Sequence, residues 1–382
     1  MIMNMVGSSE VKPQYSVYGF RIAVDEPDPS KRVTYPKSIF GQLNGASLIE
    51  TPAYGTDRYC LQDWRDCPLI AEIKRQTGNA VKGWTDVTDK RKAVAGSSTD
   101  MVMTYVPTWY MKMTNDGTNI DCAFSKTQID STWKDYAGSV GSERIGYFRL
   151  GCYTCKSDYK SYAGKPKVNT TISAFINNCQ KLGTGYDIIT WYQWNYLAAL
   201  AVLLYKTTNL QEAMASGYVS GSDVQSETAL TFTNDYGMAG TPGNTGTTQM
   251  AFFWIQNLWG NMDQFVGGAK TSSYNLITCT SYSSTNEADF DKKDLGGPRT
   301  NLQGTIRSVI GTTDAGFFPV STGASSSTYF ADATSIETSA FLYAGGDTKL
   351  YDDDNAGPFA FRFSTNTSLS YSYVGSRLSY RL

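Results

Sequence analysis

Residues 189–206, ITWYQWNYLAALAVLLYK, carry apolar side chains nearly all the way round a helix, interrupted only by Gln193 and Asn195. A helix without a polar face must either cross a bilayer or lie at the centre of a folded protein. Its uninterrupted apolar stretch, residues 196–205, is too short to span, and the chain holds no second candidate. The expectation is a buried central helix and no membrane insertion. The segment before it, TTISAFINNCQKLG (170–183), reads as an amphipathic helix. Thr170 or Thr171 caps it, Ile172, Phe175, Ile176 and Cys179 share a face, and Gly183 is the stop signal.

Elsewhere the pattern is extended. In the first half, SVYGFRIAV, MVMTYVPTWYMKM, NIDCAFS and RIGYFRLGCYT read as strands, DEPDPSKR marks a turn, and Asn115-Asp116-Gly117-Thr118 is a hairpin signal. After residue 234, short apolar runs such as MAFFWIQNLWG, YNLITCT, TIRSVIG, SAFLYAGG and PFAFRFS alternate with Gly-, Ser- and Thr-rich loops. With 26 tyrosines and 35 glycines, such usage suits many short strands joined by tight turns. The predicted class is α+β, with few helices. A boundary is expected near residue 165, dividing a β-rich N-terminal region (1–165) from a second domain (166–382).

Several functions are set aside by what the chain lacks. It has no histidine, which removes the usual general base, the Ser-His and Cys-His nucleophile pairs and the commonest zinc ligand. Cys152 and Cys155 have the C-x-x-C spacing but no second pair to complete a metal site, so the seven cysteines are expected to be buried or idle thiols. Basic and acidic residues number 33 and 35, with no cationic run of the kind that binds nucleic acid or anionic lipid. The first residues, MIMNMVGSSEVK, lack the cationic and apolar regions of a signal peptide, and synthesis in a reducing compartment is the default.

The segment WIQNLWGNMDQFVGG (254–268) resembles the Gly-Asn-x-x-Glu-Trp type stretch of the C-type-lectin-like fold shared with formylglycine-generating enzymes. It keeps Gly260-Asn261, and Asp263-Gln264-Phe265 stands where that family shows an acid or amide followed by an aromatic residue. The two helices before it are similar to that family too. The ending AGPFAF…YVGSRLSYR resembles the C-terminus of variable proteins targeted by diversity-generating retroelements. YGFRIAVDEPDPSKRVTYP and MVMTYVPTWYMKM are similar to segments of phage and prophage tail or fibre proteins with lectin-like ends. The resemblance implies a tail receptor-binding protein whose C-terminal domain sets two helices on a twisted antiparallel sheet. Made in the host cytoplasm and carried on the virion tail, it would bind a bacterial cell-surface protein or glycan and join other tail proteins, as a homo-oligomer and by resemblance a trimer.

That resemblance also implies which residues vary. The fixed frame is Gly345-Gly346, Ala356-Gly357, Phe359, Phe361 and the run 374–378, and the diversified, ligand-contacting positions are Tyr343, Asp347, Lys349, Tyr351, Asp353, Arg362, Ser364, Thr365, Leu369, Tyr371 and Tyr373. Independently of the resemblance, tyrosine with small polar residues is the composition of adaptable binding surfaces, since Tyr offers a large rigid contact at low entropic cost. In FAFRF, period-two alternation sends Phe359, Phe361 and Phe363 inward and Arg362 outward. Arg362, Tyr371 and Tyr373 are thus expected as exposed anchors.

Two other readings stand beside this one. A structural virion component with no specific receptor would have nearly the same sequence. A formylglycine-generating oxidase would need a reactive late cysteine pair, and no cysteine follows Cys279. In YDDDNAG (351–357), Asp352, Asp354 and Asn355 offer oxygen ligands to calcium, but the late glutamate and the loop spacing are missing. No catalytic residue, cofactor or metal is expected.

Overall fold

A computed structural model describes residues 17–49, 64–219, 223–241, 246–346 and 356–382. The first strands are β1 (Val17–Ala23), β2 (Val33–Thr34), β3 (Lys74–Asn79), β4 (Gly83–Asp86) and β5 (Met101–Pro107). The hairpin β6 (Tyr110–Asn115) and β7 (Asn119–Ser125) turns where the sequence places it. Asp116 Oδ1 accepts from the N–H groups of Thr118 (2.8 Å) and Asn119 (2.7 Å), and Gly117 takes the left-handed φ of 87° that the turn requires. β8 (Tyr147–Gly151) closes this half.

Helix α1 (Ile172–Gln180) is capped by Thr171, whose hydroxyl accepts from Ala174 N–H, and it buries Ile172, Phe175, Ile176 and Cys179. After β9 (Tyr186–Ile188) comes α2 (Trp191–Tyr205), opened by a reciprocal capping box between Thr190 and Gln193. All fifteen residues of α2 are buried. Asn195 donates to Trp191 O and accepts from Phe317 N–H, and Gln193 Oε1 accepts from Thr190 N–H while its Nε2 has no partner among the described residues. No helix among the described residues is long and apolar enough to cross a membrane.

The remaining strands are β10 (Asp263–Ser272), β11 (Asn275–Thr278), β12 (Leu302–Val309), β13 (Pro319–Thr322), β14 (Ala333–Ile336), β15 (Phe341–Ala344), β16 (Phe361–Thr365), β17 (Val374–Ser376) and β18 (Leu378–Tyr380). Three larger sheets result. Four strands run in the order β2-β1-β7-β6, and six in the order β9-β18-β8-β5-β3-β4. The eight-stranded sheet runs β11-β10-β15-β16-β14-β12-β13, with β17 added in parallel to β10. The class is α+β as predicted, mostly strand with few helices and a twisted, largely antiparallel sheet.

The cores on either side of residue 165 are continuous. β18, from the end of the chain, lies between β8 and β9 and pairs with both, so one sheet takes strands from each side of that position. The largest apolar cluster likewise joins Phe20, Phe124 and Phe148 to α2 and to Phe361 and Phe363. The pairing of β9 with β18 also brings together the first and last strands of the 166–382 stretch.

Candidate functional site

Strand register builds the site. Gln303, Ser335, Arg362, Tyr343 and Phe265 stand opposite one another in turn across β12, β14, β16, β15 and β10. Side chains alternate along a strand, so these five share one face of the eight-stranded sheet. The other face carries Phe361, Phe363, Leu342 and Ile336 into the core, where Trp191 of α2 packs 5.0 Å from the Phe361 ring and 6.0 Å from that of Phe363. On the first face, Phe175 of α1 covers Phe265 at 5.9 Å, whereas the Arg362–Ser335–Gln303 end of the row opens into a cleft of about 370 Å³. Tyr343, Ser364 and Tyr373 wall it on one side, and Gln303, Ser335 and Glu337 on the other.

The tyrosines form a stack at the rim. Tyr371 lies 5.2 Å from Tyr373 and 6.0 Å from Tyr343, and the Tyr343 hydroxyl is 2.9 Å from Ser364 Oγ. Tyr371 and Tyr373 are half-buried, whereas Tyr343 is 6% exposed. Burial, and secondarily the Asp263 carboxylate, push the Tyr343 phenol well above its ordinary range, so it remains a neutral hydroxyl able to donate.

Arg362 is not an exposed anchor. It occupies the expected face, opposite Phe361 and Phe363, but is 8% exposed and reaches down to the fully buried Asp263, Nη1 to Oδ2 at 3.3 Å. It therefore forms the floor of the cleft. Asp263 also accepts from Gly346 N–H at 2.9 Å, tying the end of β15 to β10. Thr365 is 2% exposed, stands opposite Phe341 beyond a bulge that breaks the alternation after Phe363, and does not line the cleft. Leu369 is exposed but does not line the cleft. Asp347, Lys349, Tyr351 and Asp353 lie outside the described residues, as does the whole acidic YDDDN run with Asp352, Asp354 and Asn355.

The frame beneath the site is polar and densely hydrogen-bonded. Arg377, fully buried, donates to Gln264 Oε1 (3.0 Å) and to the carbonyls of Gly151 (2.7 Å), Gln256 (2.7 Å) and Asn257 (2.9 Å). One side chain thus holds the strand end at β8, the 254–262 turn and β10 in place. Nearby, Lys156 and Glu227 form a buried ion pair, with Thr154 and Asn257 also donating to the carboxylate. Despite its burial, the Glu227 carboxyl is held below its ordinary range by Lys156, Arg377 and the Thr154 hydroxyl. Asp332 accepts from Gln211 Nε2 (2.6 Å) and Phe359 N–H (2.8 Å), and a Cβ at Gly357 would come within 2.3 Å of its carboxylate. Only glycine fits at that position, where the chain turns into β16.

Trp259 and Gly260-Asn261, the residues that carried the lectin-like resemblance, are structural. The Trp259 indole is fully buried and donates to Ala215 O at 2.7 Å, Gly260 has a φ of 73°, and Asn261 brackets the backbone of Gln225 with both ends of its amide. The opposite wall of the cleft, Gln303, Ser335 and Glu337, has no counterpart among the residues expected from the sequence. Their strands are legible, but the register joining them to Arg362 spans about 60 residues and leaves no local signal. The six described cysteines are free and buried, and among the described residues no group of three His, Cys, Asp or Glu could hold a metal ion. Among the described residues, what remains on the cleft is a set of neutral hydroxyls and amides, aromatic faces, one paired cation and one exposed carboxylate.

No protein-family model matches the chain, and no curated protein matches it. Among solved structures it is similar to the Major Tropism Determinant M1 variant, at 11% identity over 81% of this chain and 71% of that one, with a TM-score of 0.30. The U1 variant is similar at 12% identity over 81% and 72%, with a TM-score of 0.28. Scores of that size leave fold and function to be argued from the chain's own residues.

Proposed function

We propose that this chain is a receptor-binding protein of a phage or prophage tail, which recognises a bacterial surface molecule through the tyrosine-rimmed cleft and catalyses nothing. The observation that carries the proposal is the contrast between surface and frame: half-exposed Tyr371 and Tyr373 stand over a polar cleft whose floor and supports are buried and hydrogen-bonded. Rigid aromatic anchors on an over-determined scaffold are the arrangement that binding surfaces favour, because little order has to be gained on contact.

In this reading Ser364, Leu369, Tyr371 and Tyr373, with Asp347, Lys349, Tyr351 and Asp353, are the variable contact set, and Tyr343 and Arg362 form its floor. The lectin-like character of the 166–382 stretch, the tail location and self-association into an oligomer belong to the same proposal. Several copies would turn a modest single-site affinity into firm attachment. The test is saturable adsorption of the purified chain to a panel of bacterial strains. Binding to some strains and not others supports the proposal, and a chain that adsorbs to none, or to all alike, returns it to a purely structural component of the particle.

A further inference from the structure

Resting on the receptor-binding reading, we propose that the cleft takes an organic cation, the basic side chain of a protein receptor, held between the tyrosines and Glu337. Charge balance is the first reason. The one cation lining the cleft among the described residues, Arg362, is already matched by the fully buried Asp263 at 3.3 Å. Glu337 is exposed, and its backbone is engaged: its N–H donates to Phe363 O and its carbonyl accepts from Thr271 Oγ1. Its carboxylate has no ion-pair partner among the described residues. Among the described residues, the uncompensated charge on the cleft walls is therefore negative.

The aromatic wall points the same way, since ring faces attract alkylammonium and guanidinium groups, more strongly where water is partly excluded. The Tyr343 hydroxyl stays protonated and adds a neutral hydrogen-bonding partner rather than a second charge. An anionic ligand meets the opposite situation. To reach Arg362 it must compete with the fully buried carboxylate of Asp263, which already lies within ion-pair distance of it. The volume, about 370 Å³, lies at the small end for ligand pockets and suits one or two side chains rather than an extended chain of sugars.

The test titrates the full chain, with isotope-labelled tyrosines, by two-dimensional NMR. The probes are Nα-acetyl-lysine amide, Nα-acetyl-arginine amide, Nα-acetyl-glutamate amide, methyl glucosaminide and N-acetylglucosamine. The expected result is saturable shifts of Tyr343 and Tyr373 with the lysine or arginine probe, weakened about tenfold in Glu337→Gln, an exposed substitution that leaves the fold intact. Preference for the glutamate probe, for N-acetylglucosamine or for the amino sugar over the basic amino acids overturns the proposal, as does undiminished binding of the basic probes by Glu337→Gln. Adsorption to bacterial cells separates the two layers. If Tyr371→Ala with Tyr373→Ala abolishes adsorption while Glu337→Gln does not, the receptor-binding reading stands and the cationic ligand is overturned. If the basic probes bind in the expected way but neither variant changes adsorption, the ligand class is supported and the receptor-binding reading falls.

Discussion

At the scale of single residues, burial separates neighbours that look alike in the sequence. Arg362 and Tyr373 are both polar residues of the closing segment, yet one floors the cleft on a buried carboxylate and the other stands at its rim. Arg362→Ala removes the cation 3.3 Å from the fully buried Asp263, and is expected to destabilise the fold by about 3–5 kcal/mol. Tyr373→Ala should fall within about 1 kcal/mol of the parent, and thermal melts of the two variants check the difference. Alternation in FAFRF made the sidedness of Arg362 legible. Its burial was not, because Asp263, the group that draws it down, lies 99 residues away. Asp332 offers a pH test. Burial raises its carboxyl to about 7, and no cation among the described residues compensates it. The folded state thus holds a proton that the unfolded chain releases near the ordinary value of 3.8. The stability this contributes is complete below about pH 4 and is lost as pH rises through about 7. Asp332→Asn should remove that segment of the pH–stability curve, and a difference curve that stays flat between about pH 4 and 7 would contradict the assignment.

Among the elements, those with a complete local signal were readable and those set by distant partners were not. The two helices and the hairpin at 115–118 carry their own caps, apolar period and turn residues, and the structure has them where the sequence puts them. The run MAFFWIQNLWG looks like one strand but is broken into two-residue strands, 251–252 and 255–256. Phe253 and Trp254 adopt left-handed φ values of 51° and 61°, a conformation that apolar periodicity gives no means of anticipating. Arg377 and the buried polar residues around it hold this bent segment against β8 and β10. Trp259, in the same segment, fills the core and satisfies Ala215 O. Trp259→Ala should cost about 3–5 kcal/mol, read as a fall in the unfolding midpoint. An unchanged midpoint would mean that the segment does not pack as described.

For the molecule as a whole, β18 and the shared core bind the two halves together. Residues 1–165 supply four of the six strands of the sheet in which β18 lies, along with the apolar residues that cover α2 from that side. A chain lacking 1–165 is expected not to fold, because β18 loses β8 and α2 is exposed to water; a cooperative melt of the truncated chain would show that the halves are separable after all. The composition of the sequence conveyed the class, but the mutual dependence of the halves rests on strand pairings more than 200 residues apart. In the proposed function, that shared scaffold carries a rim whose residues can be replaced without cost to the fold. This is tested most directly by measuring melting temperature and bacterial adsorption together for two sets of variants. The expected result is that Tyr371→Ala with Tyr373→Ala melts within a few degrees of the parent but loses most adsorption, whereas Phe361→Ala and Val374→Ala, both fully buried, melt early and lose adsorption only with the fold. Full adsorption by the tyrosine double variant, at an unchanged melting temperature, would contradict it.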